Sequence, residues 1–329
     1  MNAYFDFHNF LSLIHSANDI RYGDCIRMIK DNFKINFTFS KDYIAKAKHD
    51  DKMDIMQWFT TMATGMGDIS WESKIPSRPI NINQIKTPPN NISVYCLDEA
   101  QYNDLEGLIK KGIIIIAKVG DEIEAFSGLL IYSNQYTKNI FANIQDWEDI
   151  KDYSSPCTDI IIVDQYIFSS PELYEPNLYK LIKCLADHSQ NEKLNIVIVT
   201  LNKLYNKKTN FTFEPDWNKI YSELRSKINK KFRPNITFIT ASQGRLEEHD
   251  RTIFTNYKTF ASGDTYNYFD NKGNKITNGR YLHAHSLADK DNMRDALKLL
   301  DDLQKLVNEL KSLNDSLIMK DRVCNFLNF

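Results

Sequence analysis

Asp159-Ile160-Ile161-Ile162-Val163-Asp164-Gln165-Tyr166 reads as an apolar strand that ends in polar residues, and the pattern that follows it decides the fold. Pro176 to His188 has the spacing of an amphipathic helix, with Pro176 well placed in its first turn. Leu194 to Thr200 is the next strand, about Asp216 to Lys231 a basic helical stretch, and Ile236 to Thr240 a third strand. A loop over Ala241 to Glu248 leads into a strand carrying His249 to Asn256, which runs on toward Gly263. The order β-α-β-α-β-β gives a sheet that is parallel at first, with right-handed crossovers. The ends of its first three strands gather on one edge, where open α/β sheets bind their ligands. Asp164, Tyr166, Thr200 and the cluster around His249 are therefore expected to share a crevice. His249 and Arg251 stand two residues apart and point to one face of a strand. An imidazole there can move a proton or attack, and a guanidinium beside it can hold an anion.

Working outward, residues 1 to 75 are expected to be mostly helical: Phe5, Phe7, Phe10, Leu11 and Leu13-Ile14 crowd one amphipathic segment, and Ile26 to Ile29 and Ile55 to Met62 supply two more. Met53, Met56, Trp58, Phe59, Met62 and Met66 at helical spacing are read as packing and not as a ligand box. Ser73 to Asn91, with Pro76, Pro79, Pro88 and Pro89, is read as a connector. From Ile92 to Trp147 a small α/β unit is expected. It has a strand at Val94 to Leu97, a helix near Glu99 to Lys111, and a strand Ile113 to Val119 buried on both faces. A hairpin near Gly120-Asp121 then leads into Ala125 to Tyr132. At the other end a long helix spans about Asp289 to Ser316, with Met293, Ala296, Leu300, Leu303, Val307 and Leu310 on one stripe. Val323 to Phe329 is an apolar tail that wants cover.

At 329 residues, with 42% apolar residues, the chain is long enough for two domains or one core with additions. A formal charge of -2 and a pI near 6.4 leave any polyanion contact to a local patch. Cys25, Cys96, Cys157, Cys184 and Cys324 are odd in number and widely spaced, which argues for a reducing cytoplasm and against a zinc site. The sequence has neither a leader pattern nor an apolar stretch of membrane-spanning length, so a cytoplasmic protein without a membrane span is expected.

Val163-Asp164-x-Tyr166 closing one strand, a strand ending at Thr200, and His249-Asp250-Arg251 before a turn near Gly263 together resemble the phospholipase-D superfamily. The likeness covers about residues 155 to 275. It is closest to the phospholipase-D-like domain at the C-terminus of some microtubule-interacting-and-transport proteins, which carry an analogous D-x-Y and H-D-R pair. Active members of the superfamily use H-x-K-x4-D, with a nucleophilic His, a phosphate-holding Lys and a supporting acid. Here the spacing is His249-x-Arg251-x4-Asn256, so the resemblance implies His249 as nucleophile, Arg251 in place of Lys, and Asn256 in place of Asp. Arg binds phosphate bidentately but is a fixed cation. The superfamily pairs two motifs per site, and His49-Asp50-Asp51-Lys52 has the wrong spacing for a second, so an active protein would be a homodimer. Relatives with H-D-R are thought to bind rather than hydrolyse.

Physical chemistry alone reaches the same fork. A phosphodiester hydrolase needs a nucleophile, a general acid and cations, roles open to His249, Arg251, Tyr257 and Asp164. The plainer alternative is an Asp250 to Arg251 ion pair that pins the loop, with His249 as a capping or core residue. Lys219, Arg225, Lys227, Lys230 and Lys231, interleaved with Phe211, Phe213, Trp217, Tyr221 and Phe232, suit a nucleic-acid track, or else one solvated helix face. His283-x-His285 has no third ligand at suitable spacing, and neither metal nor cofactor is expected.

The resulting expectation is an α/β chain with a phospholipase-D-like mixed sheet flanked by helices. Its parts are a helical region (1–75), a connector (76–91), a small α/β unit (92–150), the phospholipase-D-like domain (151–280) and a helical C-terminus (281–329). Two functions follow. One is a nuclease or phosphodiesterase working in a dimer, with an effector role in a prokaryotic defence system as its setting. The other is an inactive phosphate-binding or assembly module whose terminal helices dock other subunits.

Overall fold

The computed structural model describes residues 1–63, 92–97, 114–116, 119–189, 193–206, 210–228, 233–246, 251–276 and 280–329. The first part is built on β1 (Asn2–Phe5), α1 (Phe7–His15), α2 (Tyr22–Asn32), β2 (Lys34–Phe37), α3 (Lys41–Ala45), α4 (His49–Ala63), β3 (Ser93–Cys96), β4 (Ile114–Ile116) and α5 (Glu122–Ser127). Its four strands form one parallel sheet in the order β2-β1-β3-β4. Asp6 ends β1 and caps α1, its Oδ1 accepting from the Asn9 amide at 2.8 Å. Phe7, Phe10, Leu13 and Ile14 then face the core at helical spacing. Phe10 meets Phe37 and Trp58 with ring centroids 4.9 Å from each, so α1, β2 and α4 share one aromatic nucleus.

Residues 1–63 are mostly helical, as expected, but they also contribute β1 and β2; Ala3 and Phe5 alternate inward on β1, and their closeness to Phe7 and Phe10 disguised the change of period. One expectation is corrected here. Ala125 to Tyr132 does not form a strand: Ile123 and Phe126 turn inward three residues apart on α5, and the buried Glu122 accepts from the Gly120 amide and from Ser12 Oγ. Because β3 pairs with β1, the N-terminal region and the small α/β unit share a sheet. The connector 76–91 and the helix expected near 99–111 lie outside the described residues.

The second part carries β5 (Thr137–Asn139), β6 (Asp159–Val163), α6 (Lys180–His188), β7 (Asn195–Leu201), β8 (Leu204–Asn206), β9 (Phe211–Phe213), α7 (Trp217–Lys227) and β10 (Asn235–Ala241). It continues with β11 (Arg251–Phe254), β12 (Lys258–Ser262), β13 (Leu282–Ser286), α8 (Lys290–Leu313) and β14 (Ile318–Lys320). Eight of these strands make a mixed sheet in the order β14-β10-β7-β6-β11-β12-β13-β5, and β8 and β9 form a separate hairpin. β6, β7 and β10 are parallel, as the element order requires, and their Ile and Val residues are buried. β11 enters beside β6 antiparallel, and β12, β13 and β5 continue antiparallel. Ala296, Leu300, Leu303, Val307 and Leu310 of α8 are buried as the stripe predicts. The tail is covered: Leu327 is buried, Phe326 packs on Phe254 at 4.9 Å, and Asn325 donates to Asp159 at 2.8 Å from both its amides.

Candidate functional site

The parallel strands end together, and the Asp164 amide continues the ladder by donating to Val199 at 3.0 Å. Its carboxylate is fully buried. Oδ1 accepts from the Tyr166 amide at 2.9 Å, while Oδ2 accepts from Thr265 Oγ1 at 2.7 Å and the Tyr266 amide at 2.9 Å. Burial pushes this carboxyl above its usual range, against the pull of those donors and of Arg251. Asp164 thus pins the loop after β12 to the end of β6.

Arg251 opens β11 at the same edge, opposite Ser262. Its Nη1 donates to the Gly263 carbonyl at 3.1 Å, its guanidinium lies 5.8 Å from the Tyr166 ring centre, and its side chain is 12% exposed. Nε stands 3.9 Å from Asp164 Oδ1, beyond hydrogen-bonding reach, and is buried without a partner. The outer end of the exposed Tyr281 ring lies against Gly263, within 2.2 Å of where a Cβ would stand, so a larger residue there would have to displace that ring.

Arg280 is a neighbour of this candidate site that sequence reasoning misses, because a lone basic residue ahead of β13 carries no signal. It is 11% exposed and holds the other side of the same loop: Nη1 donates to the Asn267 carbonyl, Nη2 lies 3.5 Å from Asp264, and the guanidinium lies 5.4 Å from the Tyr268 ring centre.

Asp164, Tyr166 and Arg251 are therefore brought together, with Thr200 beneath them at the same edge; Asn256, Tyr257 and the described basic residues are placed elsewhere. Thr200 is fully buried, and its hydroxyl donates to the Gln165 carbonyl at 3.1 Å, so it braces the turn from beneath. Asn256 lies past the far end of β11: Oδ1 accepts from the Thr158 amide at 2.8 Å, and Nδ2 donates to Thr158 Oγ1 at 3.0 Å. Five residues of extended chain separate it from Arg251 by roughly 17 Å. The Arg251-x4-Asn256 spacing thus spans the sheet and does not assemble one site. Tyr257 is also fully buried, donating to the Ser93 carbonyl at 2.7 Å. His249 and Asp250 lie outside the described residues.

The basic track is likewise rearranged. Trp217 is buried against Phe168 and Phe238 at 5.3 and 5.2 Å. Lys219 lies 4.0 Å from Glu223, Lys227 pairs with Glu175 at 2.5 Å, and Arg225 donates to the Tyr221 hydroxyl at 2.7 Å. Nearby acids and phenols answer these cations, and the tryptophan is no stacking platform. Lys230 and Lys231 lie outside the described residues. His283 and His285 share one face of β13 with ring centres 6.0 Å apart, and no metal-suited group of three His, Cys, Asp or Glu occurs among the described residues. No described helix is long and apolar enough to cross a membrane. Comparison with family models, curated proteins and solved structures finds no match to this chain.

Proposed function

We propose that the chain is a phosphoryl-binding module in which Arg251, at the C-terminal edge of the parallel strands, takes the anion. One observation supports the reading above the rest. A guanidinium with five N–H donors is 12% exposed, yet among the described residues it makes one hydrogen bond, to Gly263. Buried cations are ordinarily paired, and an under-satisfied one marks a place for a counter-ion. Asp164 answers its charge from 3.9 Å but takes no hydrogen bond from it, since its oxygens already accept three others, so most of the guanidinium donors are left for a further anion. The planar fork of an arginine matches two phosphoryl oxygens, and the Tyr166 ring centre lies 5.8 Å from it, within cation–π range.

The phospholipase-D-like relationship belongs to the same proposal, supported by the parallel β6, β7 and β10 and by the placement of D-x-Y and Arg251 at one edge. Asn256 at the opposite end of β11 favours binding over hydrolysis. Hydrolysis of a phosphodiester by a homodimer is the second reading, with nucleic acid as substrate and a defence effector as its setting. Its support is that β11 begins at the edge and the sequence sets His249 two residues ahead of Arg251.

Isothermal titration with inorganic phosphate and with a short single-stranded oligonucleotide tests the proposal. The wild type is expected to bind at least one of them, and Arg251→Met to weaken that binding tenfold or more, about 1.4 kcal/mol, with its melting midpoint retained. Equal binding by the two proteins, or none by either, would sink it. Hydrolysis of bis(p-nitrophenyl) phosphate that disappears in His249→Ala would move the assignment to the second reading.

A further inference from the structure

On the face of β11, β12 and β13 that lies away from Arg251, the sheet and α8 line a cleft of about 590 Å³ that opens to solvent. Helix and sheet normally interdigitate where they meet, so a cleft of this size between them has a cause. The cause is the alternation of side chains. One face of the paired strands carries Ile253, Phe260 and Leu282, all fully buried. The face beneath α8 carries Thr252 opposite Ala261 and Thr259 opposite His285, short or polar side chains, while its one bulky β11 residue, Phe254, is taken up by Phe326 and does not line the cleft. The facing wall is aliphatic, with Ala296, Leu299, Leu303 and Leu306 one turn apart along the helix.

We propose that this cavity is a binding site for an uncharged small molecule with a flat apolar body and one hydrogen-bonding edge. The size is that of small-molecule pockets, and the lining here divides between the aliphatic helix wall and the polar sheet wall. A slot between a sheet and a helix suits a planar body. The edge is read by the sheet wall: the hydroxyls of Thr252 and Thr259 make no hydrogen bond among the described residues, and beside them His285, its Nδ1 against Thr137 Oγ1 at 3.1 Å, and Asn292, its hydrogen-bond neighbour, complete the polar edge. Burial and the neighbouring His283 lower the basicity of His285, which keeps the imidazole neutral at pH 7. The charged lining offers no excess of cations. Arg245 is engaged by Glu309, Asp302 pairs with Lys305, and Lys298 stands three and four residues from Asp295 and Asp302 on the same helix face. With no net positive charge to offer, the cavity does not select an anion, which separates it from the edge at Arg251.

Fluorescence titration of the full chain with N-phenyl-1-naphthylamine tests this. Saturable binding at one site per chain is expected, weakened at least tenfold in Ala261→Phe, which fills the slot from the sheet, and in Leu299→Phe, which fills it from the helix. Arg251→Met should bind the dye like the wild type. On the wild-type chain itself, the amide resonances of Thr252 and Thr259 should shift as dye is added, a reading that needs no variant to fold. Unmoved Thr252 and Thr259 resonances, unchanged affinity in folded filled variants, or tighter binding of the anionic 8-anilinonaphthalene-1-sulfonate would overturn the proposal.

Discussion

Lys258 begins β12 with its side chain almost wholly inside, at 2% exposure. Its backbone is needed, since the carbonyl accepts from the Thr255 amide and hydroxyl at 2.9 Å each and so closes the turn after β11. The ammonium gains nothing comparable, and desolvation lowers its pKa from 10.5 to about 8. A pKa depressed in the fold means that protonation is harder there than in the unfolded chain. The lysine's contribution is therefore most favourable above pH 10.5 and is lost as pH falls through about 8. At pH 7 the loss is on the order of 3 kcal/mol, the free energy of moving the proton equilibrium from 10.5 to about 8. Lys258→Met keeps the stem and removes the charge, so it should stabilise the chain at pH 7 and have little effect at pH 10.5. Urea midpoints of both proteins at the two pH values check this. A stability difference that does not change with pH would show that the ammonium reaches water.

Among elements, α8 was the most legible, because its sequence repeats one rule for many turns and its stripe is the face it buries. Its start is equally local: Asp289 accepts from the amides of Asp291 and Asn292 at 3.0 Å each. Asp289→Ala should therefore lower stability by about 1 kcal/mol, seen as a lower urea midpoint with an unchanged slope. No change would mean that water caps the helix equally well. The parallel run β6, β7, β10 was legible for a similar reason, since continuous Ile and Val bounded by turn residues has few other solutions. β1 was not, since four residues hold too few alternations to outweigh the apolar helix that follows. The site divided along the same line. Asp164 and Arg251 were readable because they terminate strands whose direction the topology fixes. Asn256 misled because a motif counts residues, whereas β11 is four residues long and carries the fifth and sixth past the opposite end of the sheet. Arg280 acts through contacts with a loop far from it in pattern, which no spacing encodes.

For the molecule as a whole, the two sheets are held together by the turn between β11 and β12. Tyr257 grows out of the large sheet but is buried in the hydrophobic cluster of the small one, with Ala3, Phe5, Val94 and Ala288 among that cluster's members. Its hydroxyl donates to Ser93, its carbonyl accepts from the Leu287 amide at 2.9 Å, and the Ser286 amide donates to Tyr136 at 2.7 Å nearby. Met1 and Ile92 pack against both clusters and extend the joint. The Tyr257 ring is therefore the largest buried member of the joint between two cores that each have their own strands and helices. Replacing a buried aromatic by alanine costs on the order of 3 to 5 kcal/mol, because the surroundings collapse only in part. In Tyr257→Ala that cost falls on the joint, so the smaller sheet should unfold first. Scanning calorimetry should show one transition in the wild type and two in the variant, with the later one close to the original midpoint. Tyr257→Phe keeps the ring and loses the bond to Ser93, so it should remain a single transition destabilised by about 1 kcal/mol. A single, uniformly lowered transition in Tyr257→Ala would instead mean that the remaining contacts between the sheets suffice to keep the two cores cooperative.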